Sequence, residues 1–128
     1  MSNYATENLR TLALVGHGSC GKTTLIEAML YRAGMIPEMG SIQRGTTMCD
    51  NDLLEKEVGH SIRLAVAHID TAMTDLTPVR IHILDTPGYP DYLGQDMSAL
   101  DAVKSVCAVI DPTKGPELLT RRLMAMAK

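Results

Sequence analysis

The chain reads as a layered α/β domain built on a mostly parallel sheet, and three observations predict it. Short aliphatic runs alternate with amphipathic stretches along much of the 128-residue chain. A glycine-rich segment, Gly16 to Thr23, joins the first aliphatic run to the first helical one. The exception to parallel pairing comes from Ser61–Ile69 and Val79–Asp85, which both alternate with period two. Only the loop Asp70–Pro78 separates them, too short for a helical crossover, so this pair is expected to run antiparallel.

The elements follow in order. Residues 1–8 read as a polar tail and 9–128 as the domain. Leu9–Val15 is a short buried strand ending at Gly16. Lys22–Ala33 is a helix whose Leu25, Ile26, Met29, Leu30 and Ala33 share a face, with Gly34 as its cap. Met35–Gly59 has no period, is interrupted by Pro37, Gly40 and Gly45, and carries the charged stretch Asp50–Glu57. A segment of that length without a period is usually functional. Ile62, Leu64 and Val66 mark the apolar face of one strand, and Val79, Ile81 and Ile83 that of the next. After the loop Thr86–Gly94, a helix is expected over Gln95–Lys104, then a strand over Ser105–Asp111 lying beside Leu9–Val15. Gly115-Pro116 then opens a last helix, Glu117–Lys128, with the proline at its first position.

Composition narrows the function classes. Hydrophobic residues make up 45% and charged residues 21%, which suits a folded globular chain. With no Trp or Phe, the core is expected to draw on aliphatic residues and the nine Met, and so to pack loosely. A net charge of −3 argues against a nucleic-acid grip over the whole surface and leaves room for a local phosphate site. Cys20, Cys49 and Cys107 form no CxxC pair, which speaks against zinc or a disulfide framework and for a reducing cytoplasm. Cys49 reads as a loop thiol, Cys107 as a small core residue, and Met124 and Met126 as core. His60, His68 and His82 lack metal-ligand spacing, and Arg121-Arg122 reads as a solvated face. No stretch is apolar enough for a secretory signal or long enough to span a membrane.

Two motifs carry chemistry. Gly16-His17-Gly18-Ser19-Cys20-Gly21-Lys22-Thr23 matches GxxxxGK[ST], whose fixed positions arise by chance in about 0.4% of chains this long. Its glycines let several backbone N–H groups converge on a phosphate, and the helix that follows adds its N-terminal dipole. Lys22 is expected to reach the β- and γ-phosphates, and the Thr23 hydroxyl to bind Mg²⁺. The second motif, Asp85-Thr86-Pro87-Gly88, closes an apolar strand. There Asp85 can hold Mg²⁺ through water, and Gly88 can offer its N–H to a γ-phosphate.

The pair GHGSCGKTTL and DTPGYPDYLGQ resembles the first and third GTP-binding motifs of translational GTPases, most nearly elongation factor G and its secondary paralogues. Gly34, Gly45-Thr46-Thr47 with the acidic stretch after it, and Ser105–Asp111 agree, so the resemblance runs from Leu9 to Lys128. It implies the N-terminal part of a Ras-like G domain of the P-loop class: three α/β/α layers, one antiparallel strand, truncated after the fourth strand. It implies GTP/GDP and Mg²⁺ as ligands, the ribosome as partner through a full-length factor, and hydrolysis by in-line attack of water. Switch I would be Met35–Gly59 and switch II Thr86–Gly94. Gly16, His17, Gly18, Ser19, Cys20, Gly21, Lys22, Thr23 and Thr24 would hold the nucleotide. Thr23, Asp85 and Ser61 would serve the metal, and Lys22, Gly88 and the residue at position 89 the chemistry.

Three departures shape the expectation. The family's water-positioning His is replaced by Tyr89, which cannot become a cation near pH 7, so hydrolysis is expected to be slow. Tyr89 reads equally as a packing residue. Aligning on Ile62 puts Arg63 where the family has its metal-binding Thr, and leaves Ser61 as the nearby hydroxyl. The guanine-reading Asn-Lys-x-Asp motif does not occur in these residues, so weak discrimination between GTP and ATP is expected. A nucleotide-gated ribosome-binding module with little hydrolysis, and a P-loop ATPase, stand as alternatives.

Overall fold

The computed structural model describes residues 4–49, 52–73 and 75–127. Strands β1 (Leu9–Val15), β2 (Ala65–Ala72), β3 (Pro78–Asp85) and β4 (Ser105–Ala108) form one sheet in the order β2-β3-β1-β4. β1 runs parallel to β3 and β4, and β2 runs antiparallel to β3, as the short loop between them requires. The helices are α1 (Lys22–Arg32), α2 (Leu53–Val58), α3 (Leu93–Ala102) and α4 (Leu118–Met126).

Alternation along β1 splits the core into two layers. Leu14 faces one side, with Ile26 and Leu30 of α1, Ile83 of β3 and Ile69 of β2. Ala13 and Val15 face the other, with Ala99 of α3 and Leu119 and Leu123 of α4. The fold is therefore three-layered, α1 on one face of the sheet and α3 with α4 on the other. Burying each such aliphatic side chain contributes about 1.5–3 kcal/mol, so these two seams hold the layers together. α1 closes with the Gly34 N–H on the Tyr31 carbonyl (3.0 Å) and the Met35 N–H on the Leu30 carbonyl (2.9 Å), a Schellman ending.

Several expectations are corrected. β2 starts at Ala65 rather than Ser61, and its buried face is Ala67 and Ile69; Val66 is 64% exposed. The shift is one of phase, and a single residue of slip exchanges the two faces of a strand. The cause lies in the N–H groups before Ala65. Those of Ile62 and Arg63 donate to Glu55 Oε1 (2.9 and 3.0 Å), and that of Leu64 donates to Gln95 Oε1 (2.6 Å). Side chains take the hydrogen bonds that a strand ladder would otherwise need.

The region read as irregular contains α2, opened by a capping box between Asp52 and Glu55. Asp50 and Asn51, from the same charged stretch, lie outside the described residues, as does Lys128 at the end of the last helix. That helix starts at Leu118 with Glu117 as its N-cap, so Pro116 precedes the helix and does not open it. α3 runs two residues earlier than expected, and β4 stops at Ala108, although the Val109 N–H still donates to the Val15 carbonyl (2.8 Å). On α1, Leu25 and Ala33 face solvent.

The cysteines exchange roles: Cys49 is buried in the α1 layer and Cys107 is exposed, because β4 is an edge strand with little over it. Among the described residues no methionine is fully buried: Met29 and Met35 pack half-buried against the α1 core, Met124 and Met126 are exposed, and the fully buried core is aliphatic. Residues 4–8 are docked, with a 3-10 turn at Thr6–Asn8 and the Tyr4 ring beneath the Arg80 guanidinium at 4.8 Å.

Between α1 and α2 the chain is held by one carboxylate. Glu27, on α1 and 1% exposed, accepts the N–H of Gly40 at 2.9 Å and that of Met48. Glu27→Ala would strand both donors. We expect it to lower unfolding stability by roughly 2 kcal/mol in urea titration and to speed exchange at the Gly40 and Met48 amides. Unchanged exchange at these two amides would refute the clamp.

Candidate phosphate-binding site

The site lies at the C-terminal ends of the parallel strands β1 and β3, where ligands of open α/β sheets bind. The register pairs Leu14 with Asp85, so the loops leaving both strands start side by side. The Thr86 hydroxyl locks them by donating to the Leu14 carbonyl (2.9 Å), and the Gly18 N–H donates to the Gly88 carbonyl (2.7 Å).

The backbone here leaves no room for side chains. A Cβ at Gly88 would strike the Gly16 carbonyl and Lys22 Nζ, and Gly88 also has φ +75°, which favours glycine. A Cβ at Gly18 would strike the Tyr89 ring. Gly88 thus fits into the turn made by Gly16–Lys22.

Lys22 is only 5% exposed. Its Nζ donates to the carbonyls of Gly16 and His17, both at 3.0 Å, and lies 3.9 Å from Cys20 Sγ. The glycine-rich turn folds back over its own lysine and fixes the cation at the mouth of α1. Ser19 and Thr24 are exposed, Gly21 and Cys20 half-buried. Thr24 stands apart from the small cavity of about 40 Å³ that Ser19, Lys22, Thr23, His60, Ser61 and Tyr89 help to line. His17 pairs with Glu117 at 3.2 Å, which ties the turn to the start of α4.

Three oxygen-bearing side chains converge beside Lys22. The Thr23 hydroxyl donates to Asp85 Oδ2 at 2.6 Å and lies 3.2 Å from Ser61 Oγ. Thr23 and Asp85 are buried. Two hydroxyls and a carboxylate are hard oxygen donors, a set that suits Mg²⁺. Arg63 points elsewhere and pairs with Asp52 at 3.5 Å.

Tyr89 lies across the site. Its hydroxyl is 3.0 Å from Ser19 Oγ, its ring covers Gly18, and the His60 ring packs on it at 4.5 Å between centroids. It links three segments: the glycine-rich turn, the residues just after the 35–59 segment and its own loop. Gln95 adds a second link, its Nε2 donating to the Ile62 carbonyl at 3.1 Å.

Two residues at the site carried no site role in the sequence reading. His60 became visible only through its contact with Tyr89. Asp96, in the first turn of α3, is fully buried. Its Oδ1 accepts the Gly88 N–H at 3.4 Å, and its Oδ2 has no hydrogen-bond partner among the described residues. Burial holds its carboxyl above the usual carboxylate range, against the Gly88 N–H, the Thr86 hydroxyl and the Lys22 charge.

This fold and cradle define a P-loop nucleotide-binding domain. Comparison with known proteins makes the class specific, because the family model for the elongation factor Tu GTP binding domain matches residues 7–128. The chain belongs to that family. It is 36% identical over 112 residues to the tetracycline resistance protein TetM from transposon Tn1545 of Enterococcus faecalis, covering 88% of this chain and 17% of TetM. It is 36% identical over 115 residues to an elongation factor G-like protein of Mycobacterium tuberculosis, covering 90% of this chain and 15% of that protein. A crystal structure of a Thermus thermophilus protein superposes with a TM-score of 0.83 at 35% identity, over 92% of this chain and 17% of the other. The chain therefore spans about one-sixth of the length of these relatives. Among the described residues, no helix is long and apolar enough to cross a membrane.

The raised Asp96 carboxyl has a signed consequence for stability. A group whose folded-state pKa lies above its unfolded value penalises folding increasingly as pH rises between the two, and fully above the folded value. Asp96→Asn removes that penalty. We expect it to raise unfolding free energy by about 1 kcal/mol at neutral pH, a gain that shrinks as pH falls into the ordinary carboxylate range. A pH series of thermal melts checks this; a gain that grows on acidification would contradict it.

Proposed function

We propose that the chain is the phosphate-holding part of a GTPase that works in translation. The carrying observation is that Lys22, Gly88 and the Thr23–Ser61–Asp85 group meet at one end of β1 and β3 in a member of this family. The elongation factor G-like relative supports a ribosomal setting in the cytoplasm.

On this reading GTP binds with its phosphates along Gly16–Thr23, and Thr23, Ser61 and Asp85 hold Mg²⁺. The ion, when bound, supplies positive charge against the phosphate oxygens. Lys22 is already fixed by two carbonyls, so it offers its charge without further ordering. Water attacks the γ-phosphate in line, yielding GDP and phosphate. On this reading Tyr89 takes the water-orienting role, but its hydroxyl is engaged by Ser19. A phenol so engaged orients water poorly, and hydrolysis is therefore slow.

Lys22→Ala should weaken GDP and GTP binding at least about a hundredfold, the scale of losing charge-assisted bonds to phosphate. Titration calorimetry with Mg²⁺ checks it, and affinity within a few-fold of the parent would overturn the assignment. Tyr89→His should raise phosphate release roughly tenfold or more in the presence of ribosomes, since a well-placed proton-handling group is worth at least that. Equal turnover in the two proteins would show that Tyr89 is not the limit.

A further inference from the structure

Gly88 is oriented so that its two polar groups point in opposite ways. Its carbonyl faces the glycine-rich turn and accepts the Gly18 N–H at 2.7 Å, one of the amides that a phosphate would use. Its N–H faces away and donates to the buried carboxylate of Asp96 at 3.4 Å. A γ-phosphate held by Lys22 needs the reverse: Gly18 N–H released, and the Gly88 N–H turned toward it.

We propose that Asp96 is a positioning residue that sets the preference between nucleoside di- and triphosphate, by holding the Gly88 N–H away from the phosphate cradle. This rests on the phosphate site argued above. The carboxylate competes with a γ-phosphate in two ways. It accepts the same N–H, and it is an acid buried beside the same lysine. A diphosphate leaves the Gly88 N–H uncontested, so only the triphosphate meets the competition.

The groups around Asp96 give the latch its structure. Thr86 fixes the loop to β1 through the Leu14 carbonyl, and the first turn of α3 carries Asp96 beneath it. Between these two anchors the Pro87-Gly88 segment is the part free to reorient, and the glycine permits both orientations. Burial of the Asp96 carboxyl, whose Oδ2 has no hydrogen-bond partner among the described residues, makes it costly to keep there.

The test compares binding of GDP and of a non-hydrolysable GTP analogue, both with Mg²⁺, to the parent chain and to Asp96→Asn and Asp96→Val. The two variants differ in polarity and volume, so a folding defect in one leaves the other to decide. The expected result is that analogue affinity rises roughly tenfold while GDP affinity stays within about twofold, since a hydrogen bond to a charged group is of that scale. A parallel change for both nucleotides would reduce Asp96 to a structural role and overturn the proposal. A selective loss of analogue binding would also overturn it, by showing that Asp96 helps the triphosphate. Parent protein that binds neither nucleotide would instead overturn the phosphate-site reading itself, and the proposal with it.

Discussion

The parallel pairing of β1 with β3 is the constraint on which the rest depends. Its register sets Leu14 beside Asp85, so the chain leaves both strands at the same end of the sheet, a residue or two apart. Only then can the Thr86 hydroxyl reach the Leu14 carbonyl, the Gly18 N–H reach Gly88, and Asp85 reach Thr23 at the start of α1. A slip of one residue would turn Asp85 to the other face and separate the carboxylate from the hydroxyl. The two core layers enforce this register from both sides, because Leu14 with Ile83 and Ala13 with Leu84 are buried in opposite seams. Stability and chemistry are thus set by the same strand pair.

A second theme is the use of buried carboxylates as anchors for backbone. Glu27 gathers Gly40 and Met48, Glu55 gathers Ile62 and Arg63, and Asp96 takes Gly88. Each replaces a strand or helix partner with a side chain, which orders irregular chain without committing it to a ladder. Such segments are free to rearrange at lower cost than sheet or helix. The anchors surround the cradle, and Ser61, His60 and Tyr89 connect them to it.

What the sequence revealed follows from how tightly chemistry restricts it. A phosphate cradle needs glycine where backbone meets backbone, and a lysine and hydroxyl at fixed spacing, so Gly16–Thr23 was legible from composition and order alone. The antiparallel pair was legible because a short loop forbids a crossover. The phase of β2 was not, because Ile62 and Leu64 alternate correctly while their N–H groups are spent on side chains, that of Glu55 seven residues earlier and that of Gln95 thirty-one residues later. The helix α2 left a signal in its Asp52-x-x-Glu55 box that the surrounding charge obscured. Asp96 left none: an acid in a first helical turn is ordinary, and its burial comes from the packing of α3 against β1.

The central claim is that the turn between β1 and α1, together with Gly88, receives nucleotide phosphates. Amide chemical-shift mapping with GDP and Mg²⁺ tests it most directly. The account predicts the largest shifts at Gly18, Gly21, Lys22 and Thr23, with the amides of β2 unmoved. Saturating binding whose shifts centre instead on the α4 face, leaving Gly18 to Thr23 unchanged, would contradict it.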